Sequence, residues 1–194
     1  MIKALCHQNA VAVSLVLKVP DMNNSMNDSH WVTCYVALGS NLSNELGSPI
    51  DHLQQALESM KKSEKIREIS VSSFYASAPM GPQDQPDFIN AVAGFETVMT
   101  PFELLAFCQQ LESMAKRARL RRWGERSLDV DILLYGETQI TDPTLTIPHA
   151  GLSERNFVLI PLRELAPNLT IAGKSIGDYS QSRDWTGLTL LSSD

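Results

Sequence analysis

From Leu128 to Tyr135 the sequence reads Leu-Asp-Val-Asp-Ile-Leu-Leu-Tyr, with apolar residues at every second place and two aspartates between them. Side chains of a β-strand alternate between two faces, so this run predicts a strand over residues 127–135. Its apolar face carries Leu128, Val130, Ile132 and Leu134 into a core, and Asp129 and Asp131 share the other face. A strand with one face committed to packing needs neighbours beside it and a layer above it. The acid face carries two like charges side by side, which suits a solvated surface or a divalent cation held between them.

The remaining elements are read outward from that strand. Apolar and small residues over 32–38 predict a buried strand, ended by Gly39-Ser40-Asn41, with Ser40 and Asn41 as turn formers. Ser48 is placed to cap a helix with Pro49 at its first position and Ile50, Leu53, Leu57 and Met60 on one face. Residues 66–75 and 88–98 are rich in β-branched and aromatic types and predict two strands around a loop carrying Pro79, Gly81, Pro82 and Pro86. Thr100-Pro101-Phe102-Glu103 is a capping-box signature opening a second amphipathic helix through Leu104, Leu105, Cys108, Leu111 and Ala115. The order strand, helix, strand, strand, helix, strand predicts an α+β fold with a ferredoxin-like βαββαβ core, an antiparallel sheet with both helices on one face. Beyond Gly136 the prolines at 143, 148, 161 and 167 predict loops, a hairpin and a short helix.

Composition narrows the class. The chain has 194 residues, enough for one core but not two, and its 43% apolar and 20% charged residues are those of a globular protein. Residues 1–30 are read as an extension dispensable to the fold, with Met22 and Met26 as alternative starts, and 31–194 as a single domain. The apolar run 11–19 is interrupted by Ser14 and Lys18 and lacks a cleavage site, so it is not read as a signal peptide. A net charge of −6 argues against nucleic acid as a partner. Cys6, Cys34 and Cys108 are far apart and form no CxxC pair, which suits the reducing cytoplasm and gives no zinc site. No GxxxxGK[ST] loop, GxGxxG fingerprint or GxSxG elbow occurs.

Against this acidic background Arg117, Arg119, Arg121, Arg122 and Arg126 crowd the approach to the aspartate strand. Guanidinium forks beside a candidate metal site point to a polyanion bridging the two. Phe88 and Asn90 share a strand face behind the polar loop, an arrangement suited to stacking a flat ring and bonding its edge, though core Phe and turn Asn explain them equally well. His149, Arg155 and Phe157 can reach one site from a loop, whereas His7, His30 and His52 are read as surface or tail residues.

The run Arg122-Trp123-Gly124-Glu125-Arg126-Ser127-Leu128-Asp129-Val130-Asp131-Ile132-Leu133 resembles the signature of the 6-hydroxymethyl-7,8-dihydropterin pyrophosphokinase family. YVALGSNL at 35, SSFYASAPMGPQDQPDFINAV at 72 and IPHAGLSERNFVLIPLRELAP at 147 agree in order and spacing, so the resemblance spans residues 35–167. It implies a ferredoxin-like enzyme of folate biosynthesis that moves pyrophosphate from ATP to a hydroxymethyl-dihydropterin and releases AMP. By that resemblance Asp129 and Asp131 hold two magnesium ions, and Arg117 and Arg126 stabilise charge on the transferred group. Leu105, Gln109, Glu112, Arg119, Arg122, Trp123, Ile132, Thr146, His149 and Arg155 match the nucleotide side. Phe88 and Phe157 would sandwich the pterin, with Asn90, Ser77 and Ala78 around it. A monomer with only these small molecules as partners, away from membranes, is expected. The arginine loop is one residue shorter than in the family, and Phe88 and Ala150 stand where tyrosine can occur. A catalytically silent pterin- or nucleotide-binding paralogue and an RNA-binding domain of the same fold are the alternatives. The intact acids and arginines count against the first, and the acidic balance against the second.

Overall fold

The computed structural model describes residues 30–117 and 124–192. The residue 1–29 part of the expected extension, and Arg119, Arg121, Arg122 and Trp123, lie outside the described residues.

The elements run β1 (Val32–Ser40), α1 (Pro49–Lys61), β2 (Ile66–Val71), β3 (Tyr75–Ser77), β4 (Phe88–Thr97), α2 (Pro101–Met114) and β5 (Asp129–Tyr135). Two short hairpins follow, β6 (Ile140–Thr141) with β7 (Thr146–Ile147) and β8 (Thr170–Ile171) with β9 (Lys174–Ser175), flanking helix α3 (Asn156–Leu165). The last strand, β10 (Leu188–Leu190), returns to the main sheet beside β3. Among the described residues no helix is long and apolar enough to cross a membrane.

Both long helices begin as their sequences dictate. Ser48 accepts from the Asp51 N–H while Asp51 returns a bond to the Ser48 N–H, and Thr100 and Glu103 repeat the exchange at α2. Such reciprocal caps satisfy amides that the helix itself leaves unpaired, and each contributes roughly 1 kcal/mol.

The sheet is antiparallel at every pairing. Its order is β5, β1, β4 and then β3 and β10, with β2 also on β4. The expected strand over 66–75 is two strands. At the break Ser72 bonds β4 through its backbone N–H to Val92 O and through its hydroxyl to Val92 N, so the chain can bend without leaving amides unsatisfied.

One face of the sheet holds Cys34, Val36, Leu38, Ala91, Ala93, Phe95, Val130 and Ile132 under α1 and α2. The other face holds Val92, Leu133 and Leu134 under α3, which contributes Val158, Leu159 and Leu162. Leu134 therefore does not share a face with Val130 and Ile132 as strict alternation predicted. Val36 pairs with Ile132 but Tyr35 pairs with Leu134, so Leu133 is an extra residue, a bulge that shifts the phase of β5 by one. Three further expectations are corrected. Ile50 is exposed because its position on α1 falls outside the buried stripe, His52 is 1% exposed inside that stripe, and β1 continues through Gly39 to Ser40.

Candidate active site

Opposed residues on antiparallel strands share a face, so the strand register builds the floor of a site in two rows. Gly39 pairs with Asn90 on one side and Asp129 on the other, and Ala37 pairs with Val92 and Asp131. Loops raise walls around this floor: Ser77, Ala78 and Met80 on one side, Gly124 and Arg126 on another, and His149, Arg155 and Phe157 on the third. They enclose a cleft of 280 Å³, with acids at one end and Phe88 and Asn90 at the other.

The acid end is dense in charge. Asp129 lies between two guanidinium groups: Arg126 ion-pairs with it, and Arg117 Nη2 is 2.7 Å from its Oδ1. Arg117 also pairs with Glu112, whose carboxylate accepts from the Val130 N–H at 2.9 Å. Burial raises the Glu112 carboxyl above its usual range, against the opposing pull of that N–H and of Arg117. Among the described residues Asp131 has more distant cations, His149 Nε2 at 3.7 Å and Arg155 Nη1 at 3.8 Å. Its pKa is raised, first by burial and then by the negative charge of Asp129. Burial lowers the His149 pKa, and the Gly151 N–H donates to its Nδ1 at 3.1 Å, which leaves Nε2 to carry the proton toward Asp131.

At the other end Asn90 is buried and its Nδ2 donates to Ser77 Oγ at 2.9 Å. The amide is thereby fixed with Oδ1 over Gly39, where a Cβ would stand 3.5 Å away, so it offers the cleft an acceptor. Phe88 and Phe157, both half-buried, line the same space.

Asn41, expected to be a turn former, is instead a buried cross-link between these walls. Its Oδ1 accepts from the Arg126 N–H at 2.8 Å, and its Nδ2 donates to Gln85 Oε1 at 3.1 Å and Pro86 O at 2.9 Å. The Arg126 carbonyl accepts from the backbone of Asn41 and Leu42 and from Ser40 Oγ. One end of β1 thus fixes the arginine and the loop before Phe88 together.

Of the residues singled out from sequence, Ser77, Ala78, Phe88, Asn90, Arg126, Asp129, Asp131, His149, Arg155 and Phe157 line the one cleft. Arg117 and Glu112 stand immediately behind Asp129. Leu105, Gln109, Ile132 and Thr146 are not among its walls: Gln109 and Thr146 are exposed, Leu105 packs against the core, and Ile132 lies within it. The structure adds Ala37, Gly39, Met80 and Leu133, which sequence reasoning passed over. The signal available for Gly39 was a glycine directly after the apolar run 32–38, since a glycine in a strand often marks a place where a ligand or another backbone comes close.

The family model for 7,8-dihydro-6-hydroxymethylpterin-pyrophosphokinase (HPPK) matches residues 35–167. The chain belongs to this family. A 2-amino-4-hydroxy-6-hydroxymethyldihydropteridine pyrophosphokinase of Haemophilus influenzae is 47% identical over 145 residues, covering 75% of this chain and 88% of that protein. The protein of the same name from Pseudomonas aeruginosa is 44% identical over 137 residues, covering 71% and 82%. A Plasmodium falciparum HPPK-DHPS crystallised with pteroate superposes with a TM-score of 0.62 at 13% identity, a likeness of fold alone. It covers 81% of this chain, which spans 41% of that longer one. In the HPPK match the segment 35–167 takes in all three walls of the cleft.

Proposed function

We infer that the cleft transfers pyrophosphate from ATP to the hydroxymethyl group of 6-hydroxymethyl-7,8-dihydropterin, giving AMP and the dihydropterin diphosphate for folate biosynthesis. Membership of the HPPK family supports the reaction, and the observation that supports its location is the single row Asn90, Gly39, Asp129, a ring-reading amide and a metal-binding acid on adjacent strands.

The acids fit magnesium. They present hard oxygen donors on one face, and the raised pKa of Asp131 marks a negative charge that its surroundings leave under-compensated. Among the described residues no three His, Cys, Asp or Glu side chains are grouped to hold a metal alone, so phosphate oxygens complete the set in this reading. We assign two magnesium ions to Asp129 and Asp131; when bound, they offset phosphate charge and polarise the phosphorus under attack. Arg126, on the cleft wall, holds the transferred group, and Arg117, paired behind Asp129, adds positive charge to that end of the cleft where charge develops. His149 Nε2 and Arg155 face the remaining phosphates. Phe88 and Phe157 stack the ring, and the Asn90 Oδ1 accepts from an N–H of its edge while Ser77 holds the amide in place. The hydroxymethyl oxygen then attacks the β-phosphorus in line and AMP departs, with alignment supplying much of the acceleration.

In this reading Gln109, Ile132, Arg119, Arg122 and Trp123 serve the nucleotide side, with Leu105 and Thr146 near the adenine. The core is ferredoxin-like, supported by the strand order β5, β1, β4, β2 with α1 and α2 on one face. We also take the protein to be a cytoplasmic monomer whose first 30 residues are dispensable to this domain.

The test is to mix the protein with ATP, magnesium and 6-hydroxymethyl-7,8-dihydropterin and to follow nucleotide products. AMP formed in step with dihydropterin diphosphate is expected; release of ADP, or binding of both substrates without AMP, would refute the assignment.

A further inference from the structure

We propose that Gly39 is a specificity-determining residue: its missing side chain keeps open the gap through which the acceptor's one-carbon arm passes from the ring slot to the phosphates. This rests on the reaction assigned above.

Gly39 is next to last in β1 but paired on both sides, and a glycine within a β-strand costs roughly 0.5–1 kcal/mol relative to alanine, so its presence needs a reason. Backbone conformation is not that reason. The glycines with positive φ are Gly47, Gly81, Gly136, Gly173 and Gly187, and Gly39 is not among them. Its pairing to Asn90 and Asp129 is regular on both sides. Crowding is not the reason either. At Gly94, in the neighbouring strand, a Cβ would fall 2.9 Å from Tyr35, so that glycine is required by packing. At Gly39 a Cβ would meet, among the described residues, only Asn90 Oδ1 at 3.5 Å and Phe88 Cδ1 at 3.8 Å, both ordinary contacts. The protein alone would accept alanine here.

What a side chain at 39 would enter is the cleft itself. The residue lines it, stands between Asn90 and Asp129 in the same row, and is flanked in the next row by the small Ala37. Any methyl group there rises between the ring-binding and acid ends, where the bond between acceptor oxygen and phosphorus must form. A ring without the arm has nothing to place in that gap. The gap therefore selects a fused ring bearing its alcohol on a short arm, and holds that alcohol within reach of the phosphate.

Gly39→Ala and Gly39→Val test this, with melting temperature, AMP release, and binding of two rings in the presence of magnesium and α,β-methylene-ATP. One ring is 6-hydroxymethyl-7,8-dihydropterin and the other is unsubstituted 7,8-dihydropterin. Both variants are expected to melt with the parent and to bind the unsubstituted ring as the parent does. Turnover should fall about 10-fold with alanine and about 100-fold or more with valine, the scale of a misplacement of around 1 Å between reacting groups. Affinity for the hydroxymethyl ring should fall in the same order. Parental turnover in the valine variant would overturn the proposal, as would equal loss of affinity for both rings. Early melting of the alanine variant would assign the glycine to the fold instead and overturn it too; if only valine melts early, alanine decides. A parent chain that makes no AMP would count against the reaction, and the two-ring comparison would still decide the role of position 39.

Discussion

Asp129 and Asp131 point from the same strand face into different company. Asp129 is held by Arg117 and Arg126, whereas Asp131 has, among the described residues, no cation nearer than 3.7 Å. Asp131→Ala should therefore leave the fold intact, since nothing in the core rests on its side chain, while turnover falls by more than about 100-fold through loss of a metal ligand. Circular dichroism with the AMP assay checks both halves; turnover within a few-fold of the parent would rule the assignment out. Asn41 behaves in the opposite way. Removing three hydrogen bonds from a buried amide with Asn41→Ala is expected to cost about 2–4 kcal/mol and to slow turnover, because Arg126 and the loop before Phe88 lose their shared tether. Urea denaturation reads the first effect, and unchanged stability would show the cross-link to be idle. The two residues differ in how legible they were. Asp131 was visible from its immediate neighbours, but the burial of Asn41 is decided by partners 44 and 85 positions away.

At the level of elements, beginnings were easier to read than endings. Both N-caps lie within four consecutive residues of sequence and were legible for that reason, the full box at Thr100–Glu103 and the Ser48 cap without its return bond from Asp51. The end of α2 depends on backbone conformation instead. The Lys116 N–H bonds Ser113 O and the Arg117 N–H bonds Glu112 O, a Schellman closure with Lys116 at the left-handed position, φ 55°. This turn is what folds Arg117 back against Glu112. Lys116→Gly should stabilise the protein by about 1 kcal/mol, since the exposed Lys116–Glu45 pair it removes is worth little. A higher urea midpoint at constant slope is the expected reading, and a lower one would show that the lysine side chain matters more than its backbone. The break between β2 and β3 was illegible because the residues on either side favour strand equally; only the bonds of Ser72 to Val92 reveal it.

Seen as a whole, the sheet separates labour between its faces, and a residue can be misread by being assigned to the wrong one. His52 looked like a surface histidine, yet it lies on the buried face of α1 with neither ring nitrogen hydrogen-bonded among the described residues. Burial lowers its pKa, so the unfolded chain takes up the proton first. The stability it allows is complete above the unfolded value of about 6.5 and is lost as pH falls through that value toward the folded one. The melting temperature should therefore drop between about pH 7.5 and about pH 5.5, and His52→Leu should flatten that slope; parallel profiles would exonerate the residue. The division of faces also governs what the chain can lose. Tyr135, beyond the bulge, returns to the side covered by α1 and α2 and donates its hydroxyl to Met99 O at 2.7 Å. Were Leu133 deleted, the strand would have to choose: keep its acids over the cleft and turn the tyrosine outward, or seat the tyrosine and drive both acids under α2. No single frame would satisfy chemistry and packing together, so a one-residue deletion there should be far less tolerable than a substitution by another apolar side chain.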